Sequence, residues 1–365
     1  MRKLFVLFII SILPLSAFAD AVQIGSLWYN LDESAKTAEV TSAIGDGYSG
    51  DIVIPATVTY SDVAYNVTCI GSYAFSYSSI SSIVIPEGVD SIGIYAFYSC
   101  RDLTSVTFPT STLRIIEDHG FYDCYSLTNI IIPEGVTRIG EWAFGYNNTN
   151  WVGVAKVKLP STITSIGNYA FCGIRNFSSV VSRIASPFEI DRSVFCSDYY
   201  WEGEDYVYTP SSATLCVPDD TKAKYEAFSG WKMFAEIVEG ELLEAKVDSF
   251  TYSYIKGKGA ATLIGHAYSE TRNITIPGSV KIGDDSYTVK KIGAGVFQNY
   301  NNLDTLVIES GVETIGESAF SNNYNLHSVT FPISLKTIGK YAFNECRIDT
   351  LVVPEGVDSI AEGAF

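Results

Sequence analysis

The sequence predicts a β-rich, right-handed repeat solenoid in two tandem modules, built from short strands with few helices. Three observations predict it. The frame Ile-Gly-x-x-Ala-Phe stands intact at residues 70–75, 92–97, 139–144, 166–171, 315–320 and 338–343, with variants at 116–121, 292–297 and 360–365 and a degenerate copy at 190–195. The closing Phe recurs from Phe75 in steps of 22, 24, 23, 27 and 24 residues, and from Phe297 in steps of 23, 23 and 22. Ile52-Val-Ile-Pro55, Tyr65, Val67 and Ile70-Gly71 return as Ile274-Thr-Ile-Pro277, Tyr287, Val289 and Ile292-Gly293, all at an offset of 222, which marks a duplicated module.

Periods of roughly 20–29 residues belong to leucine-rich-repeat arrays rather than to propellers or helical-pair repeats. One such unit cannot bury its own apolar side, and stacked units share one core.

Residues 1–19 have the form of a secretory signal peptide. Arg2 and Lys3 precede an apolar run from Leu4 to Leu15, and Ala17-Phe18-Ala19 is a small-residue cleavage site. The apolar run is too short to span a bilayer. With no Cys beside the cleavage point, a lipid anchor is disfavoured, and the mature chain is expected to be exported with no transmembrane segment.

Residues 20–67 lack the full frame and read as an N-terminal cap of short strands around Leu27-Trp28-Tyr29, Ala38-Glu39-Val40 and Ile52-Val-Ile-Pro55. Residues 68–181 hold the first array. Within it, Val106 and Phe108 alternate with Thr107, and Ile130 and Ile132 with Ile131, as in short strands with one buried face. Pro109 and Pro133 end these strands, Glu-Gly turns the chain, and the frame Gly reads as a bend.

Residues 182–240 contain the degenerate repeat, an acidic aromatic insertion from Asp198 to Tyr206, and a C-terminal cap. In that cap Asp219 and Asp220 are placed to cap a short helix over 221–228, and Trp231 and Phe234 to cover the open end of the core. Residues 241–247 link to a second N-terminal cap at 248–291 and a second array at 292–365. That array stops in mid-repeat, so the sequence reads as truncated there.

Formal net charge is −17, or −19 without Arg2 and Lys3, which argues against nucleic acid or anionic lipid as a partner. Seven Cys are present. Cys100, Cys124 and Cys346 each follow a repeat Phe by three residues, where other coils have Ser78, Asn147 and Asn323, so this reads as a small stacked turn position. Coil spacing of ~4.8 Å puts Cys100–Cys124 and Cys172–Cys196 within disulfide reach, while the parallel direction of ladder neighbours favours free thiols.

Leu103 to Pro109, Leu127 to Phe144 with its Ile-Pro-Glu-Gly-Val segment, and Ile92 to Cys100 resemble the BspA-like leucine-rich-repeat family of bacterial surface proteins. Leu215 to Phe234, with Val-Pro, Lys-Tyr and Trp-x-x-Phe, is similar to the cap closing such arrays. Glu117 in place of Gly and the step of 27 residues after Phe144 depart from the pattern. The resemblance implies an exported or surface-displayed adhesion and protein-interaction module with no shared catalytic residues.

No catalytic constellation is legible, and neither a cofactor nor a metal site is expected. His119, His266 and His327 are far apart in sequence. Gly-x-Ser-x-Gly, phosphate loops and dinucleotide fingerprints are missing from the sequence. The candidate ligand-binding residues form a stripe two positions before successive repeat Phe residues: Tyr73, Tyr95, His119, Trp142 and Tyr169. Exposed in a row, they suit protein or glycan contact. The alternative, which stacking in repeat proteins favours, is a structural ladder in which each ring covers its neighbour. In module two the equivalents are Gly295, Ser318, Tyr341 and Gly363, so the stripe is largely lost. Tyr199, Tyr200 and Trp201 of the insertion are a second candidate, either a binding loop or a solvated one.

The leading functional reading is a non-enzymatic adhesion and protein-interaction scaffold, secreted or at the cell surface, for host or bacterial proteins. The alternatives are a carbohydrate-binding module using the aromatic stripe, or an auxiliary domain of a larger secreted enzyme.

Overall fold

The computed structural model describes residues 21–44, 47–146, 155–174, 177–202, 205–267 and 270–365. The signal-like segment 1–19, Asn147, and Gly203 and Glu204 of the insertion lie outside the described residues.

Each coil passes through two parallel sheets. On one side the frame Ile residues pair coil to coil, Ile70 with Ile92, then Ile116, Ile139 and Ile166. On the other side Ile52, Ile83 and Val106 are in register, and farther along Ile130, Val157, Val180, Leu215 and Ile237. The period-two alternation places Ile130 and Ile132 inside and leaves Ile131 49% exposed. Module two repeats the plan with Ile292, Ile315, Ile338 and Ile360 on one side and Ile274, Leu306 and Val329 on the other. The duplication extends to element ends. The antiparallel pair Thr57–Tyr60 and Val63–Ile70 returns as Ser279–Ile282 and Asp285–Ile292, shifted by the same interval at every end. Two separate apolar cores result, one running from Leu27 to Ile237 and one from Tyr252 to Ala364.

The spine of each core is a stack of the repeat Phe rings. Phe75, Phe97, Phe121, Phe144, Phe171 and Phe195 follow one another at centroid separations of 5.1, 4.6, 5.1, 5.4 and 5.1 Å, with planes within 4° of parallel. Phe297, Phe320 and Phe343 repeat this at 5.1 Å. Burying each ring contributes on the order of 1.5–3 kcal/mol. The first stack is closed at both ends. Tyr48 lies 4.8 Å from Phe75, its hydroxyl accepting from Trp28 N and donating to Thr41 O. At the far end Phe234 and Trp231 lie 4.9 and 5.8 Å from Phe195.

Two details differ from the sequence reading. The cap helix is only Lys222–Tyr225, and neither Asp219 nor Asp220 caps it. Thr221 is the N-cap residue without a side-chain cap bond, Asp220 has φ 59°, and the Lys222 amide donates instead to Glu239 Oε1 at 2.8 Å. The capping carboxylate comes from a neighbouring strand that local sequence could not identify.

The frame Gly is not the bend. It is the point of closest approach between coils. A Cβ built on Gly140 would stand 2.4 Å from Asp118 N, on Gly167 2.5 Å from Glu141 N, and on Gly316 2.6 Å from Ala294 N. The bends lie elsewhere in the corner, at two positions that take left-handed backbone in most coils. The first is the stripe position, with φ between 54° and 60° at Tyr73, Tyr95, His119, Trp142 and Tyr169. The second follows the Phe by two, at Tyr77, Ser99, Asp123, Asn299, Asn322 and Glu345. In module two the first position holds Gly295, Ser318, Tyr341 and Gly363, also at positive φ. Glycine there relieves the Cβ clash that an L residue carries in this conformation.

At four of the positions three residues after a repeat Phe, the side chain is a hydrogen-bond donor. Cys100 Sγ donates to Phe75 O at 2.9 Å, Cys124 Sγ to Phe97 O at 3.0 Å, Asn323 Nδ2 to Phe297 O at 2.9 Å and Cys346 Sγ to Phe320 O at 3.2 Å. Each reaches the preceding coil's Phe carbonyl, which explains why Cys and Asn interchange. All seven Cys are free thiols.

Two consequences are measurable by urea unfolding. Gly167→Ala should cost about 1–3 kcal/mol through overlap with the coil below. Gly265→Ala, whose Cβ would meet nothing nearer than 3.6 Å, should change stability little. At φ 53°, Ser318→Gly should be neutral or stabilising by up to about 1 kcal/mol, whereas Ser318→Val should destabilise by at least about 1–2 kcal/mol.

Candidate functional site

The left-handed corner aims the stripe side chains along the outside of the Phe stack. Tyr73 stacks on Tyr95 at 5.1 Å, Tyr95 on His119 at 4.5 Å and Trp142 on Tyr169 at 4.5 Å. The step from His119 to Trp142 is relayed by Tyr122, which lies 5.4 Å from the first and 5.6 Å from the second. The rings of the stripe thus stack coil on coil, each partly covering its neighbour. Only the first ring, Tyr73, is exposed, at 53%, while the other four are half-buried by their neighbours.

A second row runs beside the first. Tyr98 stacks on Tyr122 at 5.6 Å and meets Tyr77 and Tyr95 edge-on. Asp123 anchors this corner, its carboxylate accepting from Ser99 Oγ at 2.8 Å and from Arg101 Nε and Nη2 at 3.0 and 2.9 Å. The signal for this row in the sequence is Tyr immediately after the repeat Phe in two successive coils, Tyr98 and Tyr122. It lies just outside the six-residue frame, so the frame's variable positions do not reveal it.

The insertion is a hairpin of strands Asp198–Glu202 and Asp205–Thr209. Its register pairs Tyr199 with Tyr208 and Trp201 with Tyr206, so these four share a face, and Tyr200 with Val207 occupies the opposite one. Tyr199 closes on Trp142 at 6.1 Å and on Tyr169 at 5.6 Å, and the Tyr169 and Tyr208 hydroxyls lie 3.0 Å apart. Beneath them sit Cys172, Cys196 and Met233. The two candidate regions read separately in the sequence are thus one surface. The ladder runs into the hairpin, and Trp201 and Tyr206 carry it past the solenoid edge at 61% and 48% exposure. Tyr200 is exposed but faces away from this surface.

The surface presents ring edges and hydroxyls more than ring faces, because stacking covers the faces. Burial pushes the Tyr122 phenol up to about 12, and burial together with the hydrogen bond to Tyr208 raises Tyr169. These groups are hydroxyl donors at neutral pH. Burial also holds His119 below the ordinary imidazole value, which the nearby carboxylates of Asp118 and Glu141 only partly offset. His266 lies against Phe297 and Tyr300, and His327 Nδ1 is 3.2 Å from Asp304 Oδ1. Among the described residues no group of three or more His, Cys, Asp or Glu could hold a metal ion, and no helix is long and apolar enough to cross a membrane.

Residues 68–200 and 266–365 match the family model described as BspA type leucine rich repeat region, in 6 copies. No curated protein matches the chain. Similar solved structures include a leucine rich cell surface protein from Faecalibacterium prausnitzii, at 21% identity over 94% of this chain and 85% of that one, with a TM-score of 0.39. The pneumococcal vaccine antigen PcpA aligns at 19% identity over 93% of this chain and 77% of that one, TM-score 0.41. A leucine-rich repeat protein from Bacteroides ovatus aligns at 19% identity over 93% of this chain and 90% of that one, TM-score 0.41.

Because His119 titrates lower folded than unfolded, the unfolded chain takes up a proton first on acidification. Its stabilising contribution is present above about pH 6.5 and is lost as pH falls below it. NMR titration should place His119 below about 6.5. Between about pH 7 and pH 5 the urea midpoint should fall further for the natural chain than for His119→Asn, a residue that tolerates the left-handed backbone.

Proposed function

The chain belongs to the BspA-type leucine-rich-repeat family, and we propose that it is an exported, non-enzymatic adhesion scaffold that captures host or bacterial surface proteins. The observation carrying this reading is the continuous aromatic surface from Tyr73 to Trp201, mounted on a Phe stack covered at both ends. Tyr and Trp provide large contact area at low entropic cost, and their hydroxyl and indole groups add directional bonds. Export is supported by the form of residues 1–19, and location outside the cell by the family.

A polypeptide suits this surface better than a glycan does. Sugar rings pack on open aromatic faces, and here stacking covers both faces of Tyr95 and one face each of His119, Trp142 and Tyr169. A polypeptide uses edges, hydroxyls and grooves between rows. Module two, with Gly295 and Gly363 at the stripe position, lacks this surface and serves as a spacer or a separate contact.

The test is surface plasmon resonance of the full chain over immobilised extracellular-matrix and bacterial surface proteins, with a glycan array alongside. Saturable binding to at least one protein is expected. The combination Tyr73→Asn, Tyr77→Asn and Tyr98→Ser should weaken it by about tenfold or more while circular dichroism shows the variant still folded. Binding to glycans alone, or to no protein, would overturn the reading.

A further inference from the structure

The hairpin has an outer end that the solenoid does not use. Its base is spent on packing, with Tyr199 and Tyr208 against Trp142 and Tyr169. Its tip is not. Trp201 and Tyr206 meet edge to face at 4.9 Å and 78° and remain 61% and 48% exposed. Glu202 and Asp205 stand directly opposite each other at the same end. Like charges placed across a strand pair destabilise it. Among the described residues neither carboxylate has an ion-pair partner, whereas Arg138 takes up Glu117 and Asp118, Arg101 takes up Asp123, and Lys290 takes up Glu313.

An exposed aromatic pair beside two unneutralised carboxylates is complementary to one side-chain chemistry in particular. A guanidinium is planar, stacks on an indole face and binds carboxylates through two parallel N–H donors. An ammonium satisfies the charge but neither the stacking nor the bidentate geometry. A chain with net charge −17 also draws cationic segments toward it over distances near the Debye length, about 8 Å at physiological ionic strength.

We propose that the hairpin tip, built from Trp201, Tyr206, Glu202 and Asp205, is a docking point for an arginine-bearing segment of a partner protein. The assignment rests on the protein-scaffold reading and names the chemistry of part of that contact. The ladder supplies apolar area and hydroxyls, and the tip supplies selection for cationic sequence.

Isothermal titration of the full chain with synthetic peptides of alternating Arg and Gly, Lys and Gly, or Glu and Gly tests it. The Arg peptide should bind saturably, the Lys peptide several-fold more weakly, and the Glu peptide not at all. Raising salt from about 50 mM to about 500 mM should weaken the Arg peptide markedly. Trp201→Ser with Tyr206→Ser, and separately Glu202→Gln with Asp205→Asn, should each reduce binding by about fivefold or more. The second pair removes a cross-strand repulsion, so its melting temperature should hold or rise while binding falls, which a merely structural role would not produce. Equal binding of the Arg and Glu peptides, absence of saturable Arg-peptide binding, or unchanged binding in both variants would overturn the assignment. Both variants also go over the immobilised surface proteins. If they keep full protein binding and the Arg peptide is ignored, the tip assignment fails and the scaffold reading stands. If the Arg peptide binds but no surface protein does, the scaffold reading fails and the tip chemistry stands.

Discussion

The corner of the coil is held by an alternation of amide directions, and the rest of the molecule depends on it. In one corner Gly93 N donates back to Ile70 O, while Tyr95, Phe97 and Ser99 donate forward to Asp118, Gly120 and Tyr122. Between them Ala96, Tyr98 and Cys100 donate within their own coil, to Gly93, Tyr95 and Phe97. Left-handed backbone at Tyr95 and Ser99 brackets this run. From Tyr95 to Cys100 every amide finds a partner in a part of the chain with no long strand or helix to provide one, as burial requires. The same bonds set the coil rise, and the rise sets the Phe spacing.

That constraint explains the aromatic surface without any reference to binding. A residue held in left-handed backbone beside an identical residue one coil away projects outward in parallel with it, so rings placed there stack. Module one fills the position with Tyr, His and Trp, and the strain of left-handed backbone at these residues is offset by ring stacking. Module two partly gives up the rings and takes Gly295 and Gly363, which carry no such strain. The two modules therefore share one backbone and differ in what they show to solvent.

Two buried polar side chains help to complete the coil. Cys124 and Asn323 are buried because each donates to a Phe carbonyl one coil back. Burial raises the Cys124 thiol and pushes Cys216 up to about 12, and burial with Glu39 beside it pushes Cys69 up to about 12. Since the thiolate is the reactive form, these cysteines serve as packing and hydrogen-bonding groups in the neutral state.

The sequence by itself determined the solenoid, its period, the duplication and which residues are core. Those follow from spacing, because a repeat in chain position becomes a repeat in space once coils stack, and Ile92 and Phe97 had no other way to be buried. It also placed the stripe, since equivalent frame positions must align. Only the tertiary structure decided what the stripe is made of. The left-handed backbone at Tyr95 leaves no trace in a sequence that puts Tyr there, although Gly295 and Gly363 at the equivalent position were a faint sign. The role of the frame Gly, a close approach rather than a bend, depends on the coil beneath it. The capping of the Lys222 amide by Glu239, and the meeting of Tyr199 with Trp142 and Tyr169, join residues far apart in the chain. Such contacts are set by how the coils pack around an irregular insertion, and periodicity carries no information about a segment that breaks the period.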